Sequence, residues 1–385
     1  MSPPGRPKGE YRRAQPEGTS ETAMDGPACF SQSYAEARTK FLAACEAAGL
    51  DVHSHVHPLL GRDGETLALD VAREGAAHAA RLLIVSSACH GVEGYCGSGV
   101  QVALLGDEAF RAAARAAGVA VLYLHGLNPY GFSWWRRTTH ENCDLNRNFH
   151  DFSKPLPANP GYEELAALIV PHDWPPSAAV RAGIERYVAE HGMPALQAAI
   201  SGGQHTHPEG LFYGGVNPTW SNVTLRHVLR EEGRHAQRLA WIDLHTGLGP
   251  SGHGERIFAG RDDAVEIARA RRWWGEGEIT TTYDGSSTSA PLTGLMCFAA
   301  YEECPQAEVT GIALEYGTLP LMEVMDALRA DQWLENHPET GDALRAQIKR
   351  QVRDAFYTDT DAWKEQVLAQ ARQAALQAVR GLAGG

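Results

Sequence analysis

Three apolar runs in this 385-residue chain stop on side chains that bind metals or move protons. "LLIVSSACHGVEG" ends on His90 and Glu93, "RLAWIDLHTG" on His245, and "GIALEYGT" on Glu315. In open α/β sheets, ligands bind outside the carboxyl ends of the strands, so three such ends can converge on one site. Two imidazoles and a carboxylate make a catalytic zinc set with a fourth position open for water. Those donors suit a borderline ion. A rigid strand would point neighbouring side chains to opposite faces. Gly91 and Gly94 are therefore read as permitting a turn that brings His90 and Glu93 to one ion. The bland alternative is that Asp243, His245 and Glu315 are buried polar groups satisfying one another. Asp243, two residues before His245, is read as orienting a ligand or as an ordinary strand residue rather than as a ligand.

The loop "NPYGFSWWRRTTHENCDLNRNF" supplies cations: Arg136, Arg137 and Arg147, with Asn146 and Asn148 beside the last. A guanidinium fork matches carboxylates and oxyanions. These arginines are interleaved with Trp134, Trp135, Leu145 and Phe149, which is not the pattern of a solvated basic face. A second Gly-rich loop, "GGQHTHPEGLFYGG", has a length that usually carries function. It is expected to line a substrate pocket through Gln204, Tyr213 and Trp220 rather than to bind a second metal at His205 and His207.

The elements that must position these residues alternate between strand and helix. A helix is expected after Ser33 and should stop at Gly49. "TLALDVA", "RLLIVSSA" and "GVAVLYLHGLNPYG" read as strands, and "SGVQVALLG" between them as a helix. This rhythm predicts an α/β fold with a largely parallel sheet. Residues 126–162 read as one long loop. Helices are expected within 161–170, 177–201 and 221–237, and again from about residue 320. No repeat or linker divides the chain. One domain over 29–385 is expected, preceded by a disordered Pro/Gly-rich arm over 1–28 in which Met24 is a possible start.

The formal net charge of −13 argues against nucleic acid or an anionic membrane as a partner. No apolar run approaches the roughly 18 residues needed to cross a bilayer, and the N-terminus lacks the apolar core of a signal peptide. Seven cysteines without a CxxC read as reduced thiols, which implies a cytoplasmic location.

HGVEG, DLNRNF, DLHTG and LEYGT, in that order, resemble the zinc carboxypeptidases of the carboxypeptidase A type. Within them the chain is most similar to a bacterial and phage subgroup catalogued as a domain of unknown function. The resemblance runs from about Phe30 to the C-terminus. It implies a single-domain mixed, mostly parallel twisted sheet of about eight strands with helices on both faces. It also implies one zinc per chain, with His90, Glu93 and His245 as ligands and Glu315 as the catalytic glutamate. Arg137 would polarise the scissile carbonyl, with Arg136 as substitute, and Asn146 and Arg147 would hold the substrate's terminal carboxylate. The tyrosine that caps substrates in this family has no match in a clear motif; Tyr283 and Tyr301 are the candidates. DLHTG is equally similar to the succinylglutamate desuccinylase and aspartoacylase deacylases. The leading expectation is thus a hydrolase of C-terminal peptide or amide bonds. A deacylase of small N-acyl amino acids is the alternative, and a non-catalytic zinc-binding recognition protein the third. Oligomeric state is not legible.

Overall fold

A computed structural model describes residues 26–384. Its strands are β1 (Val52–Leu60), β2 (Thr66–Glu74), β3 (Arg81–Ser86), β4 (Ala120–His125), β5 (Arg238–Ser251), β6 (Gly254–Phe258), β7 (Ile279–Thr280) and β8 (Glu308–Gly317). They form one eight-stranded sheet in the order β1-β2-β4-β3-β5-β8-β6-β7. The central strands β4, β3, β5 and β8 run parallel. β2 joins β4, and β6 joins β8, in antiparallel fashion. The expected mixed α/β sheet is what forms.

Side-chain alternation explains the layers. Leu83, Val85, Ile242 and Leu244 pack on one face, in a core shared with Phe41, Val100, Trp363 and Val367. Leu82, Ile84, Leu239 and Trp241 point to the other face, against Leu225, Val228 and Leu229. The helices Tyr34–Ala47, Gly94–Gly106 and Asp361–Ala383 supply the first layer, and Trp220–Glu232 the second. Because both faces are covered, the central strands read as continuous apolar runs. Since Leu239 and Trp241 face the second layer, alternation sends Asp243 and His245 the same way, to where the layer opens.

Ser33 caps the first helix by accepting from Glu36 N, as its sequence predicts. The expected helix over 177–201 is two, Ala178–His191 and Met193–Ser201, because Gly192 at φ +85° followed by Pro194 breaks it. The loop 126–162 contains a short helix, Pro129–Trp134, and a 3-10 turn, Leu145–Arg147. β1 gives no apolar signal because it is an edge strand in which only His57 is buried. Of the expected N-terminal arm, residues 1–25 lie outside the described residues, and Gly26–Cys29 forms a 3-10 turn. Cys45, Cys89, Cys96, Cys143, Cys297 and Cys304 are free thiols. No described helix is long and apolar enough to cross a membrane.

His125, at the end of β4, is fully buried under Phe41, with ring centroids 4.4 Å apart. Its Nε2 lies 2.9 Å from Ser98 Oγ, and Asp70 stands 3.9 Å from Nδ1. Burial, resisted by Asp70 and aided by Arg38, pushes its pKa down to about 4. The unfolded chain therefore binds a proton near pH 6.5 that the folded chain refuses until about pH 4. This stability is fully present above pH 6.5 and is lost as pH falls towards 4, by roughly 3 kcal/mol at most. His125→Gln should flatten the fall in urea midpoint between pH 7 and 4.5; a wild-type slope in that variant would remove His125 as its source.

Candidate active site

β3, β5 and β8 are adjacent and carry the residues singled out by sequence. His90 and Glu93 follow β3, and Glu315 lies two residues before the end of β8. His245, expected at a strand end, lies within β5, just before its register with β8 breaks after Thr246. In the parallel register His245 pairs with Glu315 and Ser86 with Asp243. Beyond β3 the chain enters the 3-10 turn Gly91–Glu93 and then the helix Gly94–Gly106. The turn is pinned by Gly91 N donating to Arg137 O at 3.0 Å and Val92 N to Arg136 O at 2.8 Å. The glycines are needed for close packing rather than for an unusual φ. A Cβ on Gly91 would stand 2.1 Å from the Gly131 carbonyl carbon, and one on Gly94 2.6 Å from the Phe132 ring.

Donor atoms of His90, Glu93 and His245 all lie within 4.8 Å of one another, and all three residues are buried. The two Nδ1 atoms are 3.3 Å apart, and each faces a Glu93 oxygen, at 2.8 Å from His90 and 2.9 Å from His245. Two tetrahedral zinc ligands at 2.0–2.1 Å stand about 3.3 Å apart, so this spacing fits one ion. Each Nε2 meets a carboxylate: His90 to Asp144 at 3.1 Å and His245 to Asp243 at 2.6 Å. At His245 the carboxylate holds the proton on Nε2 and leaves the Nδ1 lone pair for a cation. The donor set fits a zinc ion.

The buried charges are balanced. Burial opposes ionisation of Glu93, but His90 and His245 outweigh it and hold the carboxyl well below its usual range. Asp144 is lowered likewise, burial being overcome by Arg137, Arg147 and His90. Arg137 bridges the set, with Nε 2.8 Å from Asp144 Oδ2, Nη1 3.1 Å from Glu93 Oε1 and Nη2 2.8 Å from His90 Nε2. Glu315 stands apart. Its Oε1 accepts from Leu248 N at 3.1 Å, and burial, then the charge of Glu93, pushes its carboxyl up to about 8.

A cavity of about 140 Å³ joins these groups to Asn146, Arg147, Phe212 and an apolar wall that includes Ile257, Phe258 and Ile312. Arg147 is 3% exposed; its Nε and Nη2 both donate to Ser201 O and its Nη1 to Asn146 O. A guanidinium has five N–H donors, so about two of Arg147's remain for a ligand. Asn146 Oδ1 accepts from Met296 N at 2.8 Å.

Three expected substrate residues are not brought to the cavity. Arg136 is drawn into a buried ion cluster with Asp331 and Glu335, 3.5 Å from each. Tyr283 turns its hydroxyl to Gly260 O at 2.8 Å, and Tyr301 turns its own to Glu266 at 2.6 Å. Gln204, Tyr213 and Trp220 also lie outside the cavity lining, because Gln204 closes its own turn through His207 O and Leu211 O. Phe212, Ser201 and Gln197 line the cavity instead. His205 binds Gly215 O while His207 binds Glu163 and Glu209, so the two rings share no point. Asp144 was the residue missed; its signal was the first letter of DLNRNF.

Backbone strain marks the same loops. Among the described residues, the non-glycines with positive φ are Ala88, Trp135, Asn142 and Phe212. The first three stand two residues before His90, Arg137 and Asp144, and the fourth lines the cavity. Such conformations cost about 1–3 kcal/mol each and persist where surrounding structure enforces them.

Strand order and pairing define a mixed α/β fold around one eight-stranded sheet. Thrombin-activatable fibrinolysis inhibitor shares it at 12% identity and a TM-score of 0.50, over 94% of this chain and 79% of that one. The chain belongs to the family described as "Protein of unknown function (DUF2817)", which matches residues 30–370. The bovine inhibitor, solved in complex with tick carboxypeptidase inhibitor, is similar at 11% identity and a TM-score of 0.49, over 91% of this chain and 97% of that one. A metallo-carboxypeptidase from Pseudomonas aeruginosa is similar at 14% identity and a TM-score of 0.38, over 87% and 69%. No curated protein matches.

Proposed function

We propose that the chain is a zinc-dependent hydrolase of C-terminal peptide or amide bonds, acting on small peptides or similar carboxylate-bearing amides in the cytoplasm. The observation that supports this best is the meeting of two Nδ1 atoms and Glu93 at one point, with Glu315, Arg137, Asn146 and Arg147 in the same cavity. When bound by His90, Glu93 and His245, zinc would supply an acidified water and a Lewis acid for the scissile carbonyl. Glu315, in its ionised form, takes a proton from the attacking water and returns it to the leaving amine. Arg137, kept cationic by Asp144 and Glu93 against the pull of burial, places a donor where negative charge develops on the carbonyl oxygen. Asn146 and the free N–H groups of Arg147 hold the substrate carboxylate, and the apolar wall excludes water around it.

The deciding experiment pairs metal analysis by mass spectrometry with amine release from a mixed panel of peptides and N-acyl amino acids. About one zinc per chain with chelator-sensitive turnover supports the hydrolase, and the preferred half of the panel separates peptidase from deacylase. No bound metal would overturn the reading. Arg147→Ala should raise KM by about 10-fold or more for substrates with a free carboxylate, the worth of one charged hydrogen bond, and much less for amidated ones. Equal effects on both would remove Arg147 from recognition of the terminus.

A further inference from the structure

The outer nitrogen of His245 opens onto a chain of hydrogen bonds that runs away from the cluster. Asp243 Oδ2 faces His245 Nε2 at 2.6 Å. Ser86 Oγ donates to Asp243 Oδ1 at 2.6 Å, and Trp241 Nε1 donates to Ser86 Oγ at 2.7 Å. Every member is buried, Ser86 completely. The arrangement follows from strand geometry. Trp241, Asp243 and His245 alternate onto one face of β5, and the parallel register sets Ser86 of β3 beside Asp243.

We infer that Trp241, Ser86 and Asp243 form a positioning relay that fixes the ring of His245 and thereby sets the metal affinity of the centre; this rests on the metal-centre reading above. Asp243 needs the relay because it stands at the cavity wall. A carboxylate there with one oxygen unpartnered could turn from His245. Ser86 holds that oxygen, and the indole of Trp241 fixes the direction of the Ser86 hydroxyl by using its lone pair. The hydroxyl has one proton, which must then go to Asp243. His90 has a different support: Asp144 is tied to Arg137 and to Asn146 N as well. The two ligand histidines are thus held by separate carboxylates, and only that of His245 depends on a hydroxyl and an indole.

Cys89, Asp243 and His245 also place three donor atoms within 4.8 Å of one another. Asp243 is read as a positioning group because both its oxygens are engaged, Oδ2 with His245 Nε2 and Oδ1 with Ser86 Oγ.

The test uses the full chain without substrate, so it is independent of whether any panel compound is cleaved. Zinc affinity is measured by competition with a chromophoric chelator for wild type, Asp243→Asn, Ser86→Ala, Ser86→Thr and Trp241→Phe, alongside thermal melts of the metal-free forms. Asp243→Asn should weaken zinc by about 10–100-fold, the usual cost of an outer-shell partner. Ser86→Ala and Trp241→Phe should weaken it less but in the same direction, and Ser86→Thr, which keeps the hydroxyl, should restore wild-type affinity. A purely structural role would lower the melts without moving the affinity. Wild-type affinity in both Ser86→Ala and Trp241→Phe would overturn the relay while leaving the metal centre intact. The Nε2-bound proton of His245, followed by NMR in metal-free protein, gives a readout that needs no ion. Its resonance should shift in Ser86→Ala, and an unmoved resonance would also overturn the relay.

Discussion

Glu315→Gln is expected to leave zinc content at the wild-type level and to lower kcat by about 10²–10⁴-fold, the range for loss of a general acid–base group. The amide keeps the carboxyl's shape, and its oxygen can still accept from Leu248 N, the hydrogen bond that orients Glu315. What it loses is the capacity to take up a proton. Glu315 makes no hydrogen bond to His90, Glu93 or His245, so the cluster is left as it stands. Mass spectrometry for metal and steady-state kinetics on the best panel substrate check both halves of the expectation. Undiminished turnover would mean that another group accepts the proton, and the proposed mechanism would fall.

His245→Ala should lose zinc, with affinity falling by more than the roughly 100-fold that an outer-shell partner costs. Turnover should vanish with it and not return on adding zinc at ordinary concentrations. The substitution removes one of three converging donors. It also takes from Asp243 its imidazole partner at 2.6 Å, leaving Ser86 Oγ, while Glu93 loses one of its partners at 2.9 Å and keeps His90 and Arg137. Uncompensated buried charge is destabilising, so the variant should melt below wild type as well. Full zinc occupancy in His245→Ala would take His245 out of the ligand set and shift attention to the remaining donors.

The site was legible in the sequence to the extent that strand ends announce themselves. "RLLIVS", "RLAWIDL" and "GIALEY" are apolar because both faces of the central sheet are covered, and the polar residues that follow stand out against them. The same contrast exposed Asn146 and Arg147, polar residues flanked by buried Leu145 and Phe149. The contrast fails for Arg136 and Arg137, adjacent residues of one type in one loop. Trp135 at φ +54° turns the chain so that Arg137 meets Glu93 while Arg136 meets Asp331, nearly two hundred residues away. Nothing in "WWRRTT" announces that turn. Tyr283 and the Gln204–Tyr213 loop misled for a similar reason, because polar residues there satisfy neighbouring backbone instead of facing the cavity.

By itself the sequence determined the periodicity of burial. That periodicity decides which stretches are strands, that the sheet is covered on both sides, and that His90, Glu93, His245 and Glu315 fall where apolar runs stop. Tertiary structure alone decided which strands are neighbours. The order β3-β5-β8 sets His245 beside Glu315 and Ser86 beside Asp243 across gaps of 70 and 157 residues. It also decided which carboxylate serves which imidazole, and which loop residues reach the cavity. The physical reason is that burial is a property of one residue and its local repeat, whereas pairing is a property of two distant residues. Only the packed sheet and the strained turns above it bring those pairs within hydrogen-bond reach.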